Sequence, residues 1–161
     1  MKNSVFDNNN SQSTKSPLGD LGVYYSTNNS APFASLQQAV VKGLAPDKGL
    51  YMPETIAELP NDFFDEIGNL NLINIAKTVA HAFFGEDIPK ERLDEIVADT
   101  LNFEIPLVKI EEGIYMLELF HGPTFAFKDV GARFMARMLS YFVKEQKQDN
   151  VKVLVATSGD T

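Results

Sequence analysis

LFHGPTFAFKDVGARF, residues 119–134, marks the point where an extended apolar run gives way to helical spacing. The residues just before it, Gly113 to Leu119, are β-branched, aromatic and apolar enough for a strand running inward, and Gly122-Pro123 then breaks the chain sharply. From Val130 onward Phe134, Met138, Tyr141 and Phe142 recur at helical spacing, flanked by Ala132, Met135, Ala136 and Leu139, which predicts a helix buried on most sides. Lys128 therefore falls in a strand-to-helix turn among Phe125, Phe127 and Phe134. Desolvation and the positive end of a helix dipole both disfavour an ammonium there. A neutral amine is a nucleophile, able to form a Schiff base with a carbonyl compound. The competing reading is a solvated lysine with only its stem packed on apolar neighbours.

Outward from this centre the chain divides into three parts. Residues 1–22 hold few apolar side chains and read as a flexible leader. Residues 23–105 read as a mainly helical region with short strands. Val23 to Thr27 suits a short strand, and Ala34 to Val41 has the rhythm of a helix stopped by Gly43. Ala45-Pro46-Asp47-Lys48-Gly49 carries turn chemistry, and Leu50 to Met52, before Pro53, reads as extended. Asn61 is placed to cap a short helix; Leu72, Ile75, Ala76, Val79 and Phe83 mark a longer one closed by Gly85. Pro89 suits the first turn of another, with Leu93, Ile96, Val97 and Leu101 on one face. His81 has no second ligand at metal spacing and reads as packing or surface.

Residues 106–161 read as the start of an α/β domain. Phe103 to Ile110, interrupted by Pro106, suits an edge segment that turns at Glu111-Glu112-Gly113 into the strand before Lys128. Val151 to Ala156 has the composition of a buried strand, and helix followed by strand predicts a βαβ crossover and a parallel sheet with ligands at its carboxyl edge. Thr157-Ser158-Gly159-Asp160-Thr161 falls at that edge, where hydroxyl-rich turns offer donors to an anion. A capping turn is the alternative. Two strands would lack most of their sheet partners, so the expectation is an amino-terminal piece of a longer polypeptide.

Bulk properties narrow the function classes. At 161 residues, 44% hydrophobic and 22% charged, the chain suits one globular core. A net charge of −8 argues against a nucleic-acid or anionic-membrane surface, and the absence of cysteine excludes disulfides, thiol catalysis and thiolate metal sites. No apolar run approaches the ~18 residues a membrane helix needs, and no signal-peptide pattern opens the chain, so a cytoplasmic protein is expected.

HGPTFAFKDVGARF, followed about thirty residues later by ATSGDT and preceded by YYSTNN at Tyr24 to Asn29 and VVKGLAPDKGLYMP at Val41 to Pro53, resembles the threonine synthase family. The likeness runs from about Tyr24 to Thr161. It implies the amino-terminal part of a fold-type-II, tryptophan-synthase-β-like enzyme: a helical lead-in, then the start of a parallel sheet with flanking helices. It also implies pyridoxal 5'-phosphate as cofactor, and O-phospho-L-homoserine converted with water to L-threonine and phosphate. By the same resemblance Lys128 is the lysine that carries the cofactor, Ser158, Gly159, Asp160 and Thr161 hold the substrate's α-carboxylate, and Asp160 lies near the cofactor's 3-hydroxyl. His121 and Arg133 are candidates for substrate phosphate, against a turn hydrogen bond and a salt bridge respectively. Asp129 most simply stabilises the helix start, and Phe125 and Phe127 are expected in the core. A glycine often stands in the family where this chain has Lys48. Another fold-type-II lyase, a dehydratase or cysteine synthase, is the nearest alternative, although its lysine motif reads closer to PTGSFKDR. A non-catalytic homologue binding a small molecule is the alternative of a different class.

Overall fold

The computed structural model describes residues 23–146 and 152–154; the leader expected over 1–22 and the turn at 157–161 lie outside them. Strand β1 (Val23–Ser26) is the middle of a three-stranded antiparallel sheet between β2 (Ala34–Ser35) and β3 (Tyr51–Pro53). Tyr24 stands opposite both Ala34 and Pro53. Side chains alternate across a strand, so Tyr24 and Ser26 turn inward while Val23 and Tyr25 are only half-buried. Burial, with the nearby Asp87 carboxylate, pushes the Tyr24 hydroxyl up to about 12.

Asp47 ties the two loops of this sheet together. Its Oδ1 accepts from Ser26 Oγ at 2.6 Å and from Gly49 N–H at 3.0 Å, and its Oδ2 accepts from Ser30 N–H at 2.9 Å. The Ser26 hydroxyl first, then these backbone donors, hold its carboxyl below the usual carboxylate range. A Cβ on Gly49 would overlap Ser26 Oγ, so only glycine lets the two loops approach this closely. Beside it Lys48 has φ 68°, in the left-handed region that disfavours a side chain. The glycine expected from the family at this position has a physical reason, and this chain departs from it.

Helix α1 (Leu36–Lys42) opens on a reciprocal cap in which Ser35 Oγ accepts from Gln38 N–H and Gln38 Oε1 from Ser35 N–H, and it closes at Gly43 with φ 73°. Helix α2 (Asn61–Glu66) runs into a 3₁₀ turn, Ile67–Asn69. Asn61 does not cap α2: Pro60 holds the cap position, so Asn61 is already helical. Helix α3 (Leu72–Phe84) starts where Asn71 Oδ1 accepts from Asn74 N–H at 2.9 Å, and it ends at Gly85. In α4 (Lys90–Thr100) Pro89 sits one residue ahead of the first turn.

Helix α5 (Lys128–Glu145) completes the core. Its Met138 and Phe142 join Tyr24, Leu36, Ala39, Ala80, Ile88, Leu93, Ile96 and Val97 in one buried cluster, so the core extends beyond position 106. α5 is not buried on most sides. α1 and α4 pack on it and leave Ala132, Met135 and Ala136 exposed.

Strands β4 (Leu107–Glu111) and β5 (Ile114–Leu117) form an antiparallel hairpin with Leu107 opposite Leu117, turning at Glu112-Gly113 as expected. The inward course expected of the second strand is not seen: every residue of the hairpin is exposed. A turn this short costs little closure entropy, so β5 pairs with its sequence neighbour. Both sheets among the described residues are antiparallel. Of the predicted strand Val151 to Ala156 only 152–154 are described, in no regular element and exposed, so the parallel pairing is not among the described contacts. The fold is mixed α/β, and no helix among the described residues is long and apolar enough to cross a membrane.

A charged cluster holds α3 to α4. Asp94 Oδ1 lies 2.8 Å from His81 Nε2, while Asp94 Oδ2 lies 3.1 Å from Lys90 Nζ and 3.5 Å from Lys77 Nζ. His81, read from sequence as packing or surface, thus bonds across the helix interface. The His81 hydrogen bond, then Lys90 and Lys77, lower the Asp94 carboxyl to about 2. A depressed carboxylate stabilises the fold fully above its unfolded pKa, about 3.8, and loses that contribution as pH falls through about 2. Urea unfolding between pH 7 and pH 2 should accordingly show a steeper acid loss in the wild type than in Asp94→Asn; parallel curves would refute the assignment. Relief of the left-handed backbone should make Lys48→Gly more stable by about 0.5–1 kcal/mol, since a Cβ there costs ~1–2 kcal/mol and the freer unfolded glycine takes back part of it. Thermal melts should show Lys48→Gly above the wild type and Lys48→Ala level with it.

Candidate functional site

Between β5 and α5 the chain crosses from the hairpin to the helical core through Glu118 to Phe127. Glu118 N–H donates to Pro106 O at 3.0 Å, which holds the end of the hairpin against its own beginning. His121 Nε2 lies 2.7 Å from Glu118 Oε2, and its ring stacks on Phe120 with centroids 4.7 Å apart. That is the turn hydrogen bond weighed against a substrate role. Two turns follow in series: Phe125 N–H donates to Gly122 O at 3.1 Å, and Asp129 N–H to Ala126 O at 3.0 Å.

Lys128 is the first helical residue of α5. It is half-buried, with Nζ 5.9 Å from the centre of the Phe127 ring. The described residues therefore do not enclose it as an interior lysine. Phe125 and Phe127 are 80% and 63% exposed, a correction to the core packing expected of them. Phe125 has φ 57°, and the tight turn it makes carries its ring away from the helical core.

Asp129 does more than favour the helix dipole. It is 4% exposed, and it accepts from Thr124 N–H through Oδ2 at 2.9 Å and from Thr124 Oγ through Oδ1 at 2.8 Å. Phe127, at the cap position, has no side-chain oxygen, and the carboxylate two residues on binds the preceding loop instead. A Cβ on Gly122 would overlap Asp129 Oδ2, so glycine is required for this approach. Sequence reasoning missed Thr124. The available signal was a threonine hydroxyl just after the glycine-proline break and five residues ahead of an aspartate.

Arg133 serves the end of a different helix. Its Nε donates to Thr100 O at 3.0 Å and its Nη2 to Asp99 O at 2.8 Å and Asn102 Oδ1 at 2.7 Å, while the guanidinium lies 5.7 Å from the Phe103 ring centre. The last carbonyls of a helix have no intrahelical donor, and Arg133 supplies two. Arg137 extends the seam by pairing with Asp99. Five residues along a helix turn the direction by about 140° from Lys128, so the two side chains leave α5 on different sides. Ser158, Gly159, Asp160 and Thr161 lie outside the described residues.

Comparison with known proteins agrees with the resemblance seen in the motifs. The model of the threonine synthase N terminus matches residues 23–101. Threonine synthase of Haemophilus influenzae is 43% identical over 127 residues, which cover 79% of this chain and 29% of that protein. The structure of PLP-bound threonine synthase from Brucella melitensis superposes with a TM-score of 0.74 at 32% identity, over 78% of this chain and 28% of that one. Escherichia coli threonine synthase superposes with a TM-score of 0.71 at 37% identity, over 75% and 28%. The chain thus spans under a third of the relatives it matches. In sequence and in fold it belongs to the threonine synthase family, as an amino-terminal portion of that fold-type-II architecture.

Proposed function

We propose that the polypeptide carrying these residues is a cytoplasmic lyase that converts O-phospho-L-homoserine and water to L-threonine and phosphate, with pyridoxal 5'-phosphate held by Lys128. The observation that carries this reading is a primary amine on the first turn of α5, behind a loop fixed by hydrogen bonds, in a chain 43% identical to a threonine synthase. The residues present fit the cofactor at that point: an aldehyde needs an amine on a steady backbone, and Lys128 offers one beside an exposed aromatic face. When bound, the cofactor supplies an electron sink for the charge left at the substrate's α-carbon.

Lys128 has two tasks in this reading. It anchors the cofactor between turnovers, and during turnover its amine moves the α-proton. Ser158, Gly159 and Thr161 bind the α-carboxylate through hydroxyl and backbone donors. By the family resemblance Asp160, an acceptor only when ionised, would serve the cofactor's 3-hydroxyl. Phosphate leaves from the γ-carbon and water adds at the β-carbon, which balances substrate against products. The bonds of Arg133 to the end of α4 and of His121 to Glu118 support structural roles for both over phosphate binding.

Full-length protein incubated with pyridoxal phosphate should show an absorption band near the visible edge that is lost in Lys128→Ala; a band unchanged in the variant refutes the role of Lys128. With O-phosphohomoserine the products should be threonine and phosphate in equal amounts. A keto acid instead would favour the dehydratase reading. The 161-residue chain by itself should not turn over, because it spans under a third of the length of the relatives it matches.

A further inference from the structure

We infer that Asp129, through its double acceptance from Thr124, is a positioning residue that sets where the Lys128 amine meets a carbonyl group; the inference rests on the reading of Lys128 given above. An aspartate in the first turn of a helix ordinarily faces water and needs no partner beyond the helix's own N–H groups. This one is 4% exposed, and each of its oxygens is taken by a different donor of the same residue. The bond pair closes residues 124–129 into a ring that contains Lys128. Two backbone turn bonds, Phe125 to Gly122 and Asp129 to Ala126, brace the ring from either side. Gly122 presses against the carboxylate so closely that a methyl group there would displace it.

The aromatic neighbours that could wedge the loop, Phe125 and Phe127, are largely exposed. The start of α5 is tied to the preceding loop by the Thr124 bonds, while the buried apolar anchors Met138 and Phe142 lie further along the helix. Lysine has a long flexible arm, and a group that must release and recapture the same carbonyl at every turnover needs a fixed origin for that arm. A shift of ~1 Å at that origin is enough to cost ~100-fold in rate.

The test breaks the clamp from both sides in the full-length protein. Thr124→Val removes the hydroxyl while keeping shape, Gly122→Ala pushes the carboxylate away, and Thr124→Ser keeps both donors. The readout is the rate at which the cofactor-free protein develops its absorption band on addition of pyridoxal phosphate, with melting temperature measured in parallel. Thr124→Val and Gly122→Ala should capture the cofactor about tenfold or more slowly at temperatures well below unfolding. Thr124→Ser should match the wild type. Capture at the wild-type rate in Thr124→Val or Gly122→Ala, or a slowing that disappears on cooling away from the melt, would overturn the inference and leave Asp129 a helix-start stabiliser. If the band persists in Lys128→Ala, the reading of the amine and the inference fall together. If the band is lost in Lys128→Ala while capture by Thr124→Val is normal, only the inference falls.

Discussion

The burial of Met138 and Phe142 from α5 against Leu36, Leu93, Ile96 and Val97 is the constraint on which the rest of the arrangement depends. Each such side chain contributes roughly 2 kcal/mol when removed from water, and together they fix α5 to α1 and α4. A helix is stiff, so anchoring its middle also fixes its ends. Lys128 lies about 15 Å along the axis from Met138, at the end that follows the hairpin in the chain. The apolar contact and the candidate chemistry are thus separated by nearly three turns of one rigid element.

Polar contacts then specify what the core leaves open. Arg133 and Arg137 join α5 to the carboxyl end of α4, and Asp94 joins α4 to α3. Asp47 does for the loops of the first sheet what Asp129 does for the loop before α5: a carboxylate accepts from both a hydroxyl and backbone N–H groups while a glycine makes room. In each case the hydrogen bonds are short-range in space, and the loop rather than the core is made rigid. Two of the motifs that resemble the family, VVKGLAPDKGLYMP and HGPTFAFKDVGARF, contain these carboxylates. Their residue pattern therefore has a structural reason that stands apart from catalysis.

The exposed side of α5 and both faces of the β4–β5 hairpin carry Leu107, Ile110, Ile114, Met116 and Met135 in contact with water. The relatives this chain matches are more than three times as long as the matched region. Apolar periodicity overstated burial among the described residues. Periodicity reports which face of an element is apolar, and whether that face is covered depends on neighbours elsewhere in the chain.

Local sequence determined the elements themselves. The stops at Gly43 and Gly85, the apolar face of α4 and the turn at Glu112-Gly113 all follow from capping, glycine and periodicity, which act over a few residues. The same short range explains why Lys128 could be placed beside the start of a helix. Tertiary structure alone decided the rest. Nothing in the order of residues shows that Arg133 reaches the last carbonyls of α4, that His81 pairs with Asp94, or that Phe125 and Phe127 stay in water. Those outcomes are set by how helices far apart in the chain come to lie side by side, and a hydrogen bond or a buried ring registers only that final arrangement.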